Sequence, residues 1–290
     1  MGASVLIYGL VNSATLMLVA LGFNLIFGLS GVANLAHGGI YIFSGYVTWM
    51  LMNYLKVPFL VAIPATIVIS GVMGMVIYWI ALKRVRGLPL SEVIATFAVG
   101  VIILELFRWM GFVTYEFTIP FFVEGGTKIA GVDVDYQRLI IIGIGLLVAL
   151  FLWVFSHYTK IGLALRGMAQ DEYTALSIGI DSDWAATLSM ALGSAIVALA
   201  AIAILPLGII SINIGYEVLI MALAVSVVGG LESITGLVVA SVILGFAKTI
   251  TGTYFNPAMM EVVYLIALVL VLVVKPSGLF GKFKELEERV

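Results

Sequence analysis

The chain has 290 residues, of which 63% are hydrophobic and only 10% charged, and its net charge is −2. A soluble domain carries about 25% charged residues, so this composition excludes a water-soluble globule of the same size. Cysteine is absent, which excludes disulfides, thiolate metal sites and cysteine nucleophiles. The small net charge indicates no particular partner, and we expect no nucleic acid among the partners.

Long uncharged segments predict transmembrane helices. No Asp, Glu, Lys or Arg occurs from Met1 to Leu55, from Val57 to Leu82 or from Trp184 to Tyr216. A spanning helix needs roughly 20 mostly apolar residues. The sequence therefore predicts an all-α fold, a polytopic transmembrane helical bundle of eight to nine spans, some of them short or broken, in a single domain over residues 1–290. The candidate helices are Val5–Phe27, Gly39–Leu55, Phe59–Leu82, Ser91–Met110, Leu139–Ser156, Ala186–Leu207, Glu217–Val228, Gly236–Ile250 and Pro257–Val274.

Basic residues predict which loops face the cytoplasm, because short loops rich in Lys and Arg stay on that side of the membrane. Nine of the fourteen basic residues fall in a loop at 83–86, a longer loop at about 157–183 and the tail 275–290. An even number of predicted crossings separates each pair of these segments, so all three can share one side. The C-terminus is then cytoplasmic, and the N-terminus and the segment 111–136 lie outside, in a multi-pass membrane protein.

The sequence favours neither an ATPase nor another enzyme. No predicted loop is large enough to hold an ATPase, and the phosphate-binding pattern GxxxxGK[ST] is missing. ATP-driven work would therefore need separate subunits, and we expect no cofactor to be bound by this chain. The chain has only two histidines and neither a GxSxG nor an HExxH motif, so no catalytic constellation is predicted.

A glycine-rich break interrupts the apolar pattern at 27–39. Inside a bilayer, irregular backbone is tolerated only where it is buried in protein or lines a watery cavity. A helix that begins near Gly38 would offer free N–H groups and a partial positive charge to a carboxylate. Asn34, His37 and Gly38 are therefore candidates for lining a substrate path. A turn on the cytoplasmic side, with His37 in a capping or packing role, explains the pattern equally well.

A second glycine-rich break occupies 226–236 and contains Glu232. Paired interruptions in the two halves of a transporter indicate where its pathway lies, which makes Glu232 a further candidate for the substrate path. Close packing of helices through small residues explains these glycines at least as well.

Six ionisable residues fall in or near the apolar spans. A charge at mid-membrane costs about 2.5–3.5 kcal/mol on insertion scales, so such a residue is expected to face a cavity or a partner, or to lie at an interface. Glu105 and Arg108 stand three apart on one helix and are predicted to pair, which favours a structural role. The six are Glu92, Glu105, Glu217, Glu232, Lys248 and Glu261.

The segment 159–180 is amphipathic, charged and flanked by spans, which predicts a short helix along the membrane surface. Ile161, Leu165 and Met168 recur at i, i+4 and i+7 and form one predicted apolar stripe. Such a helix is either a handle for a cytoplasmic partner or an interfacial helix that anchors on lipid.

Four motifs occur in an order that resembles the permeases of branched-chain amino acid ABC transporters, of the LivH type. The segment 159–180 reads T-x-x-G-x-x-x-R-x-x-x-x-D-x-x-x-A-x-x-x-G-I, similar to the cytoplasmic coupling loop of that family. Residues 34–38 resemble its N-terminal N-[FL]-[AS]-x-G signature, and 229–236 resemble its GGxGSxxG segment. The terminal segment 276–281 is similar to its P-x-G-[LI]-[FL]-G motif. The resemblance covers nearly the whole chain.

The resemblance implies one of two permease subunits of a binding-protein-dependent importer for branched-chain or other hydrophobic amino acids. This subunit would pair with a LivM-like homologue or with a second copy of itself, and it would contact membrane lipid. It would bind two cytoplasmic ABC ATPases that use ATP, and it would receive substrate from an extracytoplasmic binding protein. The residues implied in ATPase coupling are Thr159, Gly162, Arg166, Asp171, Ala175 and Gly179.

Two departures from the family pattern and two other functions are also considered. Glu232 stands where the family usually has glycine, so a substrate of different polarity is conceivable, and Gly167 stands where alanine is common. The family also includes permeases for urea and short-chain amides, which is the alternative function. From a different class, a secondary transporter or channel without an ATPase would use the intramembrane carboxylates as proton sites.

Overall fold

A computed structural model describes residues 2–31, 34–113, 117–231 and 233–281, with the side chains of all but 29, 30, 172 and 173 within those ranges. Over these residues the chain is a helical bundle with one small β-hairpin, which confirms the predicted fold class. Its helices and strands are α1 (Gly2–Ser30), α2 (His37–Asn53), α3 (Phe59–Ile77), α4 (Pro89–Trp109), β1 (Gly126–Ile129), β2 (Val132–Asp135), α5 (Tyr136–Tyr158), α6 (Lys160–Gln170), α7 (Glu172–Ser177), α8 (Ser182–Ile204), α9 (Ile212–Gly229), α10 (Ile234–Tyr254) and α11 (Val262–Val274).

Eight helical segments in the described ranges are long and apolar enough to cross a membrane. The helix α2, with 17 residues, is the short ninth member of the predicted set. A π-helical turn (Tyr78–Leu82) extends α3, and 3₁₀ turns follow α8 (Leu205–Leu207) and precede α11 (Pro257–Met259). With the π-helical turn counted as part of α3, the largest boundary differences from the prediction are at α9, which begins at Ile212 rather than Glu217, and at α11, which begins at Val262 rather than Pro257.

Helices α1 and α8 form the centre of the bundle because small residues let their backbones approach. Gly22 of α1 and Gly193 of α8 face each other, and a Cβ atom added to either would lie 2.9 Å from the carbonyl oxygen of the other. On another face of α1, a Cβ atom at Gly245 of α10 would overlap the backbone of Ser13. Close approach through small residues is the usual means of helix association in lipid, where apolar side chains gain little from leaving the surroundings.

Residues 34–36, which precede α2, lie inside the bundle and beside the middle of α4. The backbone N–H of Leu35 donates to Oγ1 of Thr96 at 3.1 Å, and a Cβ atom at Gly100 would lie 3.0 Å from Cα of Ala36. Thr96 and Gly100 are central residues of α4. Because Asn34, Ala36 and His37 are buried, α2 begins in the interior of the protein.

The three basic segments meet at one end of the bundle, called here the basic end (residues 83–86, 157–183 and 275–281). Lys83 Nζ lies 2.9 Å from a carboxylate oxygen of Asp183, and Arg86 donates to the carbonyl of Ser182 at 2.6 Å. The tail reaches the same place, since Gly281 lines a cavity together with Arg166. The three basic segments therefore lie at the same end of the bundle, as their charges predicted.

The opposite end, called the hairpin end, carries the strands β1 and β2 and the start of α1. The strands pair antiparallel, with Gly126 opposite Asp135 and Ile129 opposite Val132. Ala130 and Gly131 both have positive φ, at 49° and 81°, as a type I′ hairpin turn requires. The sequence analysis did not predict this hairpin, because Ala-Gly lacks the Asn-Gly or Asp-Gly signal that normally marks such a turn.

Candidate coupling surface and substrate path

The start of α6 is fixed by two residues of the predicted coupling set. Thr159 caps the helix, because its Oγ1 accepts the backbone N–H of Gly162 at 3.0 Å. Gly162 lies directly on the carbonyl of Phe155 at the end of α5, with no room for a side chain. The threonine and the glycine of the motif therefore set the angle at which α6 leaves α5.

The last three residues of the predicted coupling set, Asp171, Ala175 and Gly179, shape α7 and the turn after it. Asp171 has extended backbone angles and its Oδ1 accepts the N–H of Thr174 at 3.1 Å, so it ends α6 and caps α7. Ala175 is buried, and Gly179 ends the turn after α7 with a φ of +87°. The single surface helix predicted for 159–180 is wrong in this respect, because Asp171 divides the segment into two helices.

The buried face of α6 also differs from the predicted stripe. Gly162, Leu165 and Met168 are buried, whereas Ile161 is 42% exposed. The contact of Gly162 with α5 determines this rotation, and the glycine in the motif was the available signal. The α6–α7 pair therefore presents exposed apolar side chains, which are Ile161 of the predicted stripe and three residues outside it, Leu163, Leu176 and Ile178.

Arg166 differs from the other predicted coupling residues because its environment shows no local structural role. It is half-buried and lines a cavity of about 270 Å³ between α6 and the bundle. Within the described ranges, no hydrogen bond or ion pair is found for its guanidinium group.

The predicted path residues at the α1–α2 break are buried. Asn34 is 1% exposed and its Oδ1 accepts the N–H of Ala36 at 3.1 Å, while its Nδ2 has no partner among the described residues. His37 is fully buried, and its Nε2 lies 3.0 Å from the carbonyl oxygen of Val19. Its Nδ1 has no hydrogen-bond partner among the described residues. Gly38 lies against the carbonyl of Gly215 in α9 without space for a methyl group. The segment before and at the start of α2 thus combines a close helix crossing with two polar atoms that lack hydrogen-bond partners among the described residues.

The second break is packed by the C-terminal motif, and Glu232 lies outside the described residues. The N–H groups of Leu279 and Phe280 donate to the carbonyls of Val228 and Gly229 at 2.8 and 3.1 Å. These bonds satisfy acceptors at the end of α9, where carbonyl groups have no partner within the helix. A Cβ atom at Gly230 would lie 2.6 Å from the backbone nitrogen of Gly281. Close packing therefore accounts for the glycines, and the terminal motif acts as a cap on α9.

The ionisable residues in the spans fall into separate structural groups. Glu105 and Arg108 pair at 3.1 Å, which confirms that prediction. Glu92 accepts the N–H of Gly87 at 2.8 Å at the start of α4, a capping contact. Three further members, Glu217, Lys248 and Glu261, interact electrostatically although they belong to α9, α10 and the start of α11. The sequence offered no signal for this grouping, because it depends on the tertiary packing of three helices.

A polar cluster ties the loop 83–86 to the segment that follows α7. The hydroxyl of Tyr78 donates to Oδ1 of Asp183 at 2.5 Å and accepts from Arg86 at 2.8 Å. The π-helical turn at the end of α3 carries this tyrosine. Because Asp183 lies in the first turn of α8, the cluster connects α3 to the exit of the α6–α7 pair.

Replacing Tyr78 by phenylalanine should lower thermal stability modestly. A hydrogen bond of this kind contributes about 1 kcal/mol net, which corresponds to a fall in Tm of about 2–4 °C for a chain of this size class. The ion pair of Lys83 with Asp183 remains and limits the loss. Thermal unfolding of the purified protein in detergent measures the effect. Tyr158→Phe is the control, since Tyr158 is 70% exposed, and an equal loss in both variants would contradict a specific role for the cluster.

Comparison with known proteins identifies the family. The family described as "Branched-chain amino acid transport system / permease component" matches residues 5–272. The chain belongs to this family. This confirms the resemblance inferred from the four motifs. The permease is accordingly a multi-pass protein of the inner membrane, and its relatives are transport subunits rather than enzymes.

Curated relatives match the permease over nearly their whole length. The high-affinity branched-chain amino acid transport system permease protein BraD of Pseudomonas aeruginosa is 28% identical, over 96% of this chain and 95% of that protein. LivH of Escherichia coli K12 is also 28% identical, over 94% of each chain. A probable LivH of Methanocaldococcus jannaschii is 26% identical, over 94% of this chain and 90% of that protein.

A solved structure shares the fold of the permease. It is PsaBC from Streptococcus pneumoniae in complex with Fab, which superposes with a TM-score of 0.51 over 93% of this chain and 91% of that chain. Only 15% of the aligned residues are identical, so this likeness concerns the arrangement of the helices and does not extend to substrate.

Proposed function

We propose that the permease is one of two membrane subunits of an ABC importer for branched-chain or other hydrophobic amino acids. The observation that carries this proposal is the α6–α7 pair, which projects exposed apolar residues at the basic end of a chain that has no nucleotide-binding motif. Membership of the permease family supports the transport role, and the names of the relatives support the substrate class. The second membrane subunit is a LivM-like homologue or a second copy.

The basic end faces the cytoplasm in this proposal, so the C-terminus is inside and the N-terminus outside. Retention of Lys and Arg on the cytoplasmic side supports the orientation. Two ATPase subunits would then bind the α6–α7 pair, with Leu163 and Ile178 among the exposed side chains that they cover. At the hairpin end, an extracytoplasmic binding protein would deliver substrate. The permease itself binds no cofactor, and ATP is used by the ATPases.

The substrate path passes the α1–α2 break in this proposal. A buried polar group without a partner costs about 1–3 kcal/mol, so Nδ2 of Asn34 and Nδ1 of His37 are expected to gain partners in another state of the protein. Because α2 begins at His37, its first N–H groups and its positive dipole end favour an anionic group there. The carboxylate of an amino acid would supply that group if α2 and α9 separate at Gly38.

Transport then requires that the ATPases bind one conformation of the permease more tightly than the other. A ligand shifts a conformational equilibrium only by its difference in affinity for the two states. The α6–α7 pair is the element through which this difference would act. The Tyr78–Asp183 cluster connects it to α3.

Reconstitution in proteoliposomes tests the proposal. ATP-dependent uptake of leucine, isoleucine or valine is expected only when the permease, its second membrane subunit, the ATPases and the binding protein are all present. Uptake of urea or acetamide in place of these amino acids would assign the alternative substrates. Gradient-driven uptake by the permease alone would instead establish a secondary transporter or channel and overturn the proposal.

A further inference from the structure

The cavity beside Arg166 lies between α6 and the bundle. Its walls come from α1, α5, α6, the start of α10 and the segment 280–281, and its volume is about 270 Å³. It lies at the basic end and reaches Gly28 near the end of α1 and Ser233 before α10, but Asn34, His37 and Gly38 of the proposed substrate path do not line it. Ligand pockets in proteins typically measure about 300–1,000 Å³. This cavity is close to the lower end of that range, which suits one small molecule.

The polar groups of the cavity suit an anion. Arg166 and His157 line it, and no acidic residue is among its lining residues in the described part of the chain. The guanidinium of Arg166 has no partner there and offers a forked set of donors that matches a carboxylate. At the start of α10, Ser233 accepts the N–H of Gly236 at 3.0 Å. The N–H groups of Ile234 and Thr235 lack acceptors within the helix, as first-turn groups do.

Part of the lining is apolar and comes from three different helices, while Asn24, Ser156 and Gln170 add neutral polar groups. Leu21 and Leu25 of α1, Leu152 of α5 and Ile234 of α10 contribute aliphatic side chains. An inorganic anion would leave this apolar surface in contact with water. A carboxylate attached to a short aliphatic chain satisfies both parts of the cavity, because the apolar portion gains about 0.8 kcal/mol for each CH₂ group that it buries.

We infer that this cavity binds a small carboxylate with a branched aliphatic side chain, held by Arg166 and the first turn of α10. An imported amino acid and the 2-oxo acid derived from it share this chemistry. Arg166 and the first turn of α10 would hold the carboxylate alone, so the 2-oxo acid, which lacks an ammonium group, should bind as the amino acid does. The inference rests on the proposed function for its source of ligand, which enters from the cytoplasmic side after import.

A bound carboxylate would affect coupling to the ATPases because it would lie between α6 and the bundle. It would contact Arg166 on α6 and the start of α10 at once, and so would hold α6 in its present place against the bundle. A ligand that binds one position of α6 preferentially shifts the equilibrium toward that position. Accumulated product should therefore lower the ATPase activity of the complex.

Direct binding to the purified permease–ATPase complex in nanodiscs, without binding protein or ATP, tests the inference. The probes are leucine, 4-methyl-2-oxopentanoate and isopentylamine, measured by calorimetry. Both carboxylates are expected to bind and the amine is not. Binding of the amine as tight as that of the carboxylates, or no binding of either carboxylate, would overturn the inference.

Matched variants locate the site. Arg166→Gln should weaken carboxylate binding about tenfold or more, since it removes a charged hydrogen-bond partner. Ala169→Phe should abolish binding by filling the cavity that Ala169 lines. Arg84→Gln removes an exposed charge of the same end, away from the cavity, and should change nothing. Unchanged binding in both cavity variants, each checked for monodisperse elution, would contradict the assignment.

The two proposals fail in different ways. If ATP-dependent uptake of the amino acids is observed but no carboxylate binds the isolated complex, the cavity inference is wrong and the proposed function stands. If carboxylates bind with the predicted variant pattern but no ATP-dependent uptake occurs, the proposed function is wrong.

Discussion

Replacing Gly38 by alanine should destabilise the permease strongly, whereas the same change at Gly167 should not. A Cβ atom at Gly38 would overlap the carbonyl oxygen of Gly215, a backbone group of α9 that cannot rotate aside as a flexible side chain could. Overpacking of this kind costs about 1–3 kcal/mol or more. Thermal unfolding in detergent, followed by tryptophan fluorescence, should therefore show a clearly lower Tm or loss of folded protein for Gly38→Ala.

Gly167→Ala is the matched control for this prediction. A Cβ atom at Gly167 meets nothing within 4 Å, and the residue lies inside α6. Alanine is better than glycine in a helix interior by up to about 1 kcal/mol, so the control should be neutral or slightly more stable. An unchanged Tm for Gly38→Ala would show that α2 and α9 do not cross as closely as the structure indicates.

Replacing Asp171 by alanine should lower transport and substrate-stimulated ATPase activity while the protein still inserts into the membrane. Asp171 caps α7 through the N–H of Thr174, and losing such a cap costs about 0.5–2 kcal/mol. A helix of only six residues depends heavily on its cap, so the α6–α7 pair would lose its shape. Arg166→Ala should lower the same two activities, since Arg166 lies between α6 and the bundle.

Asp171→Asn keeps the helix cap and removes the negative charge, because asparagine caps helices about as well as aspartate. Transport by reconstituted complexes of this variant should stay close to that of the parent protein. Full transport and ATPase stimulation in the Asp171→Ala and Arg166→Ala complexes would count against a coupling role for the α6–α7 pair.

The helices could be predicted from the sequence because lipid imposes a simple rule. A long uncharged segment such as that from Trp184 to Tyr216 must satisfy its backbone hydrogen bonds internally, and the structure divides it into α8 and the start of α9. Charges in loops also predicted the shared end of 83–86 and 157–183. Both features depend on local composition alone.

The parts that could not be predicted depend on contacts between distant segments. The rotation of α6 follows from one contact between Gly162 and Phe155, which periodicity cannot show. The same holds for the bonds of Leu279 and Phe280 to the end of α9. The unpaired side-chain nitrogens of Asn34 and His37 became visible only with the fold, although both residues had been singled out.

Site-specific crosslinking tests the central claim that an ATPase binds the α6–α7 pair. The chain has no cysteine, so Leu163→Cys and Ile178→Cys introduce single reactive thiols at exposed positions of this pair, and Lys128→Cys places one on the hairpin. In an assembled, transport-competent complex, the first two variants should crosslink to a nucleotide-hydrolysing subunit and the third should not. Labelling of Leu163→Cys and Ile178→Cys from the outer solution, or no adduct with an ATPase, would contradict the account.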